Sequence, residues 1–167
     1  MSFSWKEPLT DEEERNIKEF ILYIYEGLIK WGNDRHIDHI LHFMVRDVTR
    51  IIGEFKNLKI SSKAKELIGE CHCFKDIENA KRRLPSGKIV LDHNPTAKSF
   101  FDELTRKKTK KEPFTHKDAD RWFNKATIVA ITKEEDGLLT SNGYIEDRPP
   151  DAYDILGIKT IDVWRHK

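Results

Sequence analysis

The chain has 167 residues, of which 38% are apolar and 35% charged, with two cysteines and a net charge of +1. There is too much apolar material for a disordered chain, too few cysteines for a disulfide framework, and no apolar run near the roughly 18 residues needed to cross a bilayer. The opening, Met-Ser-Phe-Ser-Trp-Lys-Glu, lacks a signal-peptide apolar stretch, so the expectation is a soluble, cytoplasmic, single-domain protein without a membrane role.

Residues 10–31 read as an amphipathic helix. Thr10 with Glu13 has capping-box spacing, and Ile17, Phe20, Ile21, Ile24, Leu28 and Trp31 recur at helical period. Gly32-Asn33-Asp34 breaks the chain, and a second helix runs to about Phe55 on Ile37, Ile40, Leu41, Met44, Val48, Ile51, Ile52 and Phe55. With so short a link, the two should form an antiparallel pair. Ser61 or Ser62 caps a short helix ended by Gly69, Cys71-His72-Cys73 reads as extended, and residues 75–84 form a further helix stopped by Pro85-Ser86-Gly87. Residues 88–91 are a strand. Asn94, with Pro95 behind it, then caps a helix bearing Phe100, Phe101 and Leu104.

After a polar loop over 107–112, Thr115 with Asp118 opens a helix carrying Trp122 and Phe123. Residues 127–131 form a second strand, Thr132 with Glu135 is another capping box, Pro150 begins a short helix ended by Gly157, and residues 158–163 form a third strand. The predicted architecture is α+β: a long N-terminal helical pair, over about 1–70, packed with a small, mainly parallel three-stranded sheet and short helices over about 86–167.

The candidate site follows from that topology. Roughly 35 residues separate the first two strands, which suits a crossover and parallel pairing. Parallel strands place their carboxyl ends on one edge, where open α/β sheets bind ligands. That edge would gather Asp92, His93, Lys133 and Glu134, with His116 near enough to join and Glu135 closing its own capping box. A histidine works as acid or base near neutral pH, a lysine stabilises an anionic transition state, and a carboxylate orients the imidazole or holds a divalent metal. This chemistry suits phosphodiester hydrolysis. The plainer reading makes Asn94, Thr132 and Glu135 caps and His93 a polar residue at a strand end.

Charge is distributed unevenly. Residues 61–125 carry 16 basic and 10 acidic side chains, whereas both flanking segments are acidic on balance. The clusters Arg106, Lys107, Lys108, Lys110, Lys111 and Lys81, Arg82, Arg83 are candidates for contact with nucleic-acid phosphates, and otherwise form a solvated surface. On the second helix, His36, His39 and His42 lie away from the core stripe with Arg35, Arg46 and Arg50. Phe43 shares that face, as if the C-terminal half covered part of it. Three histidines at i, i+3 spacing are also a possible Zn²⁺ clamp. Cys71-His72-Cys73 lacks the second ligand pair of a zinc site, and its cysteines read as small buried hydrophobes.

Two family resemblances rest on two residues each. Asp92-His93 resembles the opening of HNH-type nucleases, which implies a water-activating histidine and a metal-binding acid. Those families continue into a loop and a second strand, whereas this chain enters a helix at Asn94-Pro95. Arg35, six residues and His42 resemble the Arg-x4–6-His signature of HEPN-type ribonucleases, an all-helical family, which implies a composite site across a dimer. The expectation is a small nucleic-acid-acting protein, with a nuclease centred on His93 as the sharper form. The alternative is a non-enzymatic module that binds protein or nucleic acid.

Overall fold

The computed structural model describes residues 7–145 and 148–164; the opening residues 1–6, read above for a leader, lie outside them. In chain order the elements are α1 (Asp11–Trp31), α2 (Arg35–Phe55), β1 (Leu58–Ser61), α3 (Ser62–Ile68), α4 (Phe74–Arg83), β2 (Ile89–Asn94), α5 (Ala97–Thr109), α6 (His116–Lys125), β3 (Thr127–Thr132), α7 (Lys133–Ser141), α8 (Ala152–Ile155) and β4 (Thr160–Asp162). The fold is α+β. No helix among the described residues is long and apolar enough to cross a membrane.

Local chemistry sets the helix starts. Thr10 and Glu13 close a capping box at α1, and Asp34 accepts the His36 and Ile37 amides at α2. The helical pair packs through Ile21, Ile24 and Leu28 against Leu41, Val45, Val48 and Ile52, with Phe100 and Leu104 of α5 and Trp122 and Phe123 of α6 closing the core. Phe20, Trp31, Ile40 and Met44, expected inside, are exposed instead. The covering helices reach only one side of the hairpin, so its apolar stripe is wider than its buried one.

The sheet has four strands in the order β2-β3-β1-β4 and is mixed. Only β1 and β3 are parallel; β2–β3 and β1–β4 are antiparallel. The expected three strands are present, and β1, with the sequence Leu-Lys-Ile-Ser, is the fourth. The expected parallel pairing of 88–91 with 127–131 is overturned, for a simple reason. The connection holds two helices, α5 running out and α6 running back. Two traverses return the chain to the end it left, so Thr127 lies opposite Asn94. One helix would have produced a parallel crossover.

One sheet face packs Ile89, Leu58, Ile60, Ile128 and Ala130 with Phe55, Phe74 and Ile77 from α2 and α4. The other packs Val129 and Ile131 with Leu139, Ala152 and Tyr153 from α7 and α8. At Gly53, α2 approaches β3 so closely that an added Cβ would lie 2.6 Å from an Ile128 side-chain carbon, so only glycine fits there. Thr96, not Asn94, caps α5, and Asn94 ends β2. Helix α5 also runs through the first half of the stretch read as a polar loop, to Thr109. Cys71-His72-Cys73 forms no strand: His72 and Cys73 lie in a bend, and Cys73 is buried just before α4.

Candidate functional site

Antiparallel pairing separates the residues expected to converge. Asp92 and His93 lie opposite Val129 and Ile128, near the start of β3, while Lys133 and Glu134 follow its end. The six residues of β3 put roughly 17 Å between the two ends. At the far end, the Lys133 amide donates to the Lys88 carbonyl at 3.1 Å, its Nζ pairs with Asp136 at 2.7 Å, and Glu134 is exposed. His116 begins α6 on another side, with its Nε2 2.9 Å from Glu19 of α1. Glu135 does close its capping box with Thr132, and its buried carboxylate also accepts the Ser61 hydroxyl at 2.6 Å.

Asp92 and His93 do not face each other either, because successive strand residues point to opposite faces. Asp92 is engaged by Arg148, with one Nη–Oδ distance of 3.0 Å, and by the Tyr153 hydroxyl. Burial, and then the Asp92 charge, push the Tyr153 phenol well above its ordinary pKa. The carboxylate is therefore enclosed by donors and clamps the segment before α8 to the sheet. Periodicity could not reveal this pairing, since Arg148 lies 56 residues away in an irregular stretch.

His93 turns toward α2. Its exposed imidazole lines a groove of about 550 Å³ with Arg46, Asp47, Thr49, Arg50 and Ala97. Its pKa is lowered, first by loss of hydration and further by Arg50, with Asp92 opposing. A lowered pKa leaves the ring neutral at physiological pH, with a lone pair to accept a proton or hydrogen bond.

The groove continues along α2 as an ordered stripe. His39, Phe43, Arg46 and Arg50 are spaced four, three and four residues apart, so they form one line along the helix. The His39 ring meets Phe43 edge-on at 4.7 Å, and the Arg46 guanidinium lies 4.5 Å from the Phe43 centroid. Phe43 is 41% exposed, so the C-terminal half, expected over part of this face, leaves Phe43 open. Beside it, His42 contacts Phe101 of α5 at 4.7 Å. Arg50 reaches back to Glu54 at 3.8 Å. Glu54, which sequence reasoning missed, does not line the groove and is joined to it through Arg50. It is 2% exposed and its Oε2 has no hydrogen-bond partner among the described residues. Burial, and secondarily Glu78, push its carboxyl up to about 7 against the pull of Arg50.

The basic clusters fare unequally. Lys107 is buried, with Nζ 3.1 Å from the Pro113 carbonyl and 3.3 Å from Asp118. Arg106 pairs with Glu112 at 3.1 Å, and Lys108 donates to Asn33 at 3.1 Å. Lys110 and Lys111 are exposed at the end of α5 and its turn. Lys81 is half-buried and Arg82 and Arg83 are exposed on the last turn of α4. Thus the densest basic run in the sequence is largely tied into the fold, while the α2 arginines face open space.

Among the described residues, no group of three His, Cys, Asp or Glu side chains is gathered as a metal ion would require, and this includes the α2 histidines and Cys71-His72-Cys73. No ligand set is therefore assigned. No family model, curated protein or solved structure matches the chain.

Proposed function

We propose that the chain binds single-stranded nucleic acid along α2, with the His93 groove at the end of the track. The observation that carries this reading is the line His39–Phe43–Arg46–Arg50 running toward His93. Single strands are held by cations that follow the backbone and aromatic faces on which bases stack. Phe43 supplies an accessible face, and Arg46 and Arg50 supply the charge. Lys110, Lys111, Arg82 and Arg83 contribute a sequence-independent field that raises encounter rates.

The test is anisotropy titration of labelled single-stranded RNA and DNA at several salt concentrations. Log K should fall with log salt by about 0.7 per phosphate contact. Phe43→Ala should weaken binding by roughly 1–3 kcal/mol, and Arg46→Ala should both weaken it and flatten the salt slope. No binding at low salt, or binding indifferent to both substitutions, refutes the reading and favours a protein partner.

Hydrolysis is the second reading, favoured by one observation: a neutral imidazole shares a groove with two arginines. In RNA cleavage such an imidazole would take the proton from the attacking 2′-hydroxyl, the arginines would stabilise the developing phosphorane charge, and the P–O5′ bond would break to leave a 2′,3′-cyclic phosphate and a 5′-hydroxyl protonated by water. Asp92, engaged on the opposite sheet face, would have no direct part. His93→Ala should then abolish RNA cleavage and leave affinity nearly unchanged. A chain that binds RNA and leaves it intact, with or without Mg²⁺ or Mn²⁺, is a binding module.

A further inference from the structure

The opposite face of the sheet carries a second cavity, of about 460 Å³, over the end where β2 stops and β3 begins. All four strands reach it, through Lys59 of β1, Asn94 of β2, Thr127 of β3 and Thr160 of β4. Pro95 stands on one wall and Pro150 on another, and Lys125, Asp151 and Asp154 also line it. Lys125, Asp151 and Asp154 are exposed, and the side chain of none of the three has a hydrogen-bond or ion-pair partner among the described residues. Lys59 is only loosely held, 3.5 Å from Asp162. Charges of both signs thus line one cleft without neutralising each other there, which is the arrangement a ligand with two different polar ends would complete.

We propose that this cleft binds a ribose phosphate of mononucleotide size. Two lysines match a phosphate as point charges. Paired ribose hydroxyls are donors, and carboxylates, which only accept, are their natural partners; Asp151 and Asp154 supply two. The apolar faces of Pro95, Pro150 and Val129 leave room for a base. The volume lies within the range of small-molecule sites and well beyond what a single phosphate or small amino acid would fill. The cleft is separate from the α2 groove, since the two open on opposite sides of the β2–α5 junction.

The experiment is calorimetric titration of the full chain with AMP, ribose 5-phosphate, adenosine, inorganic phosphate and glycine, with melting curves to confirm that each variant is folded. AMP should saturate with a Kd of about 1 mM or tighter, with ribose 5-phosphate retaining much of that affinity and adenosine little. Lys125→Glu should weaken AMP by roughly 10-fold or more. The double variant Asp151→Asn, Asp154→Asn should weaken AMP and ribose 5-phosphate but not inorganic phosphate. Arg46→Ala, in the other groove, should leave AMP binding unchanged. The proposal is overturned by unsaturated titrations with both AMP and ribose 5-phosphate up to about 10 mM. It is equally overturned by AMP binding that ignores Lys125→Glu, by AMP binding lost with Arg46→Ala, or by glycine binding as well as AMP.

Discussion

Glu54 shows how a single buried carboxyl shapes the pH response of the protein. Its pKa in the fold is about 7, above the ordinary value of 4.5. The folded state therefore holds a proton that the unfolded chain releases. Stability from this group is fully present below about pH 4.5, falls as pH rises to about 7, and stays reduced above that. Glu54→Gln, which keeps the shape and removes the charge, should flatten this slope and leave the variant roughly 1–3 kcal/mol more stable than wild type at pH 8. Urea denaturation at pH 5 and pH 8 measures it, and equal slopes in both proteins would show that Glu54 is hydrated. Asp92, by contrast, is held by the Arg148 guanidinium and the Tyr153 hydroxyl. Asp92→Ala leaves Arg148, whose side chain is 7% exposed, without its carboxylate. Stranding a buried cation typically costs about 3–5 kcal/mol, so this variant should melt early. Lys107→Ala should also destabilise, by roughly 1–3 kcal/mol, because it removes a buried contact with Asp118 and leaves the Pro113 carbonyl without its donor. A denaturation series on Lys107→Ala and Lys110→Ala separates the structural lysine from the solvated one.

Among the elements, α2 carries the sharpest contrast. Leu41 is buried between α1 and its covering helices, so Leu41→Ala should cost about 2–5 kcal/mol through the cavity it leaves. Met44, three residues on, is 37% exposed, and Met44→Ala should cost under about 1 kcal/mol. Equal losses at the two positions would place the covering helices differently. The comparison also shows what could be read in advance. The helical pair, the Thr10–Glu13 and Thr132–Glu135 boxes of α1 and α7 and the strand cores were legible, because caps and periodicity depend on residues three to four apart. The expected site was not, because it rested on strand direction. That direction is set by how many helices cross the sheet between β2 and β3; both helices were legible, but the roughly 35-residue length of the connection does not by itself distinguish two traverses from one. Strand β1 was hidden because Leu58–Ser61 is too short for its alternation to stand out beside a helix cap. The basic groove was half visible: Arg46, Arg50 and Phe43 fell on one face of α2 in the sequence, but His93 came to that face only through packing.

At the scale of the whole molecule, β3 is the organising strand. Both β1 and β2 pair with it, and they do not pair with each other. Leu58 finds its partner Ile128 about 70 residues later, and Ile60 meets Ile161 about 100 residues later. Closing such long loops is slow relative to forming a local helical pair. Pulse-labelled hydrogen exchange during refolding should therefore protect α1 and α2 before the sheet. On the ribosome the same arrangement acts as a timetable. Until Thr127 has emerged, the nascent chain holds two strands with no neighbour to accept them, and the first 126 residues contain no sheet at all. A message cut short before that codon would yield a helical fragment with the apolar edges of β1 and β2 uncovered, a natural target for chaperones or proteases rather than a partly working protein.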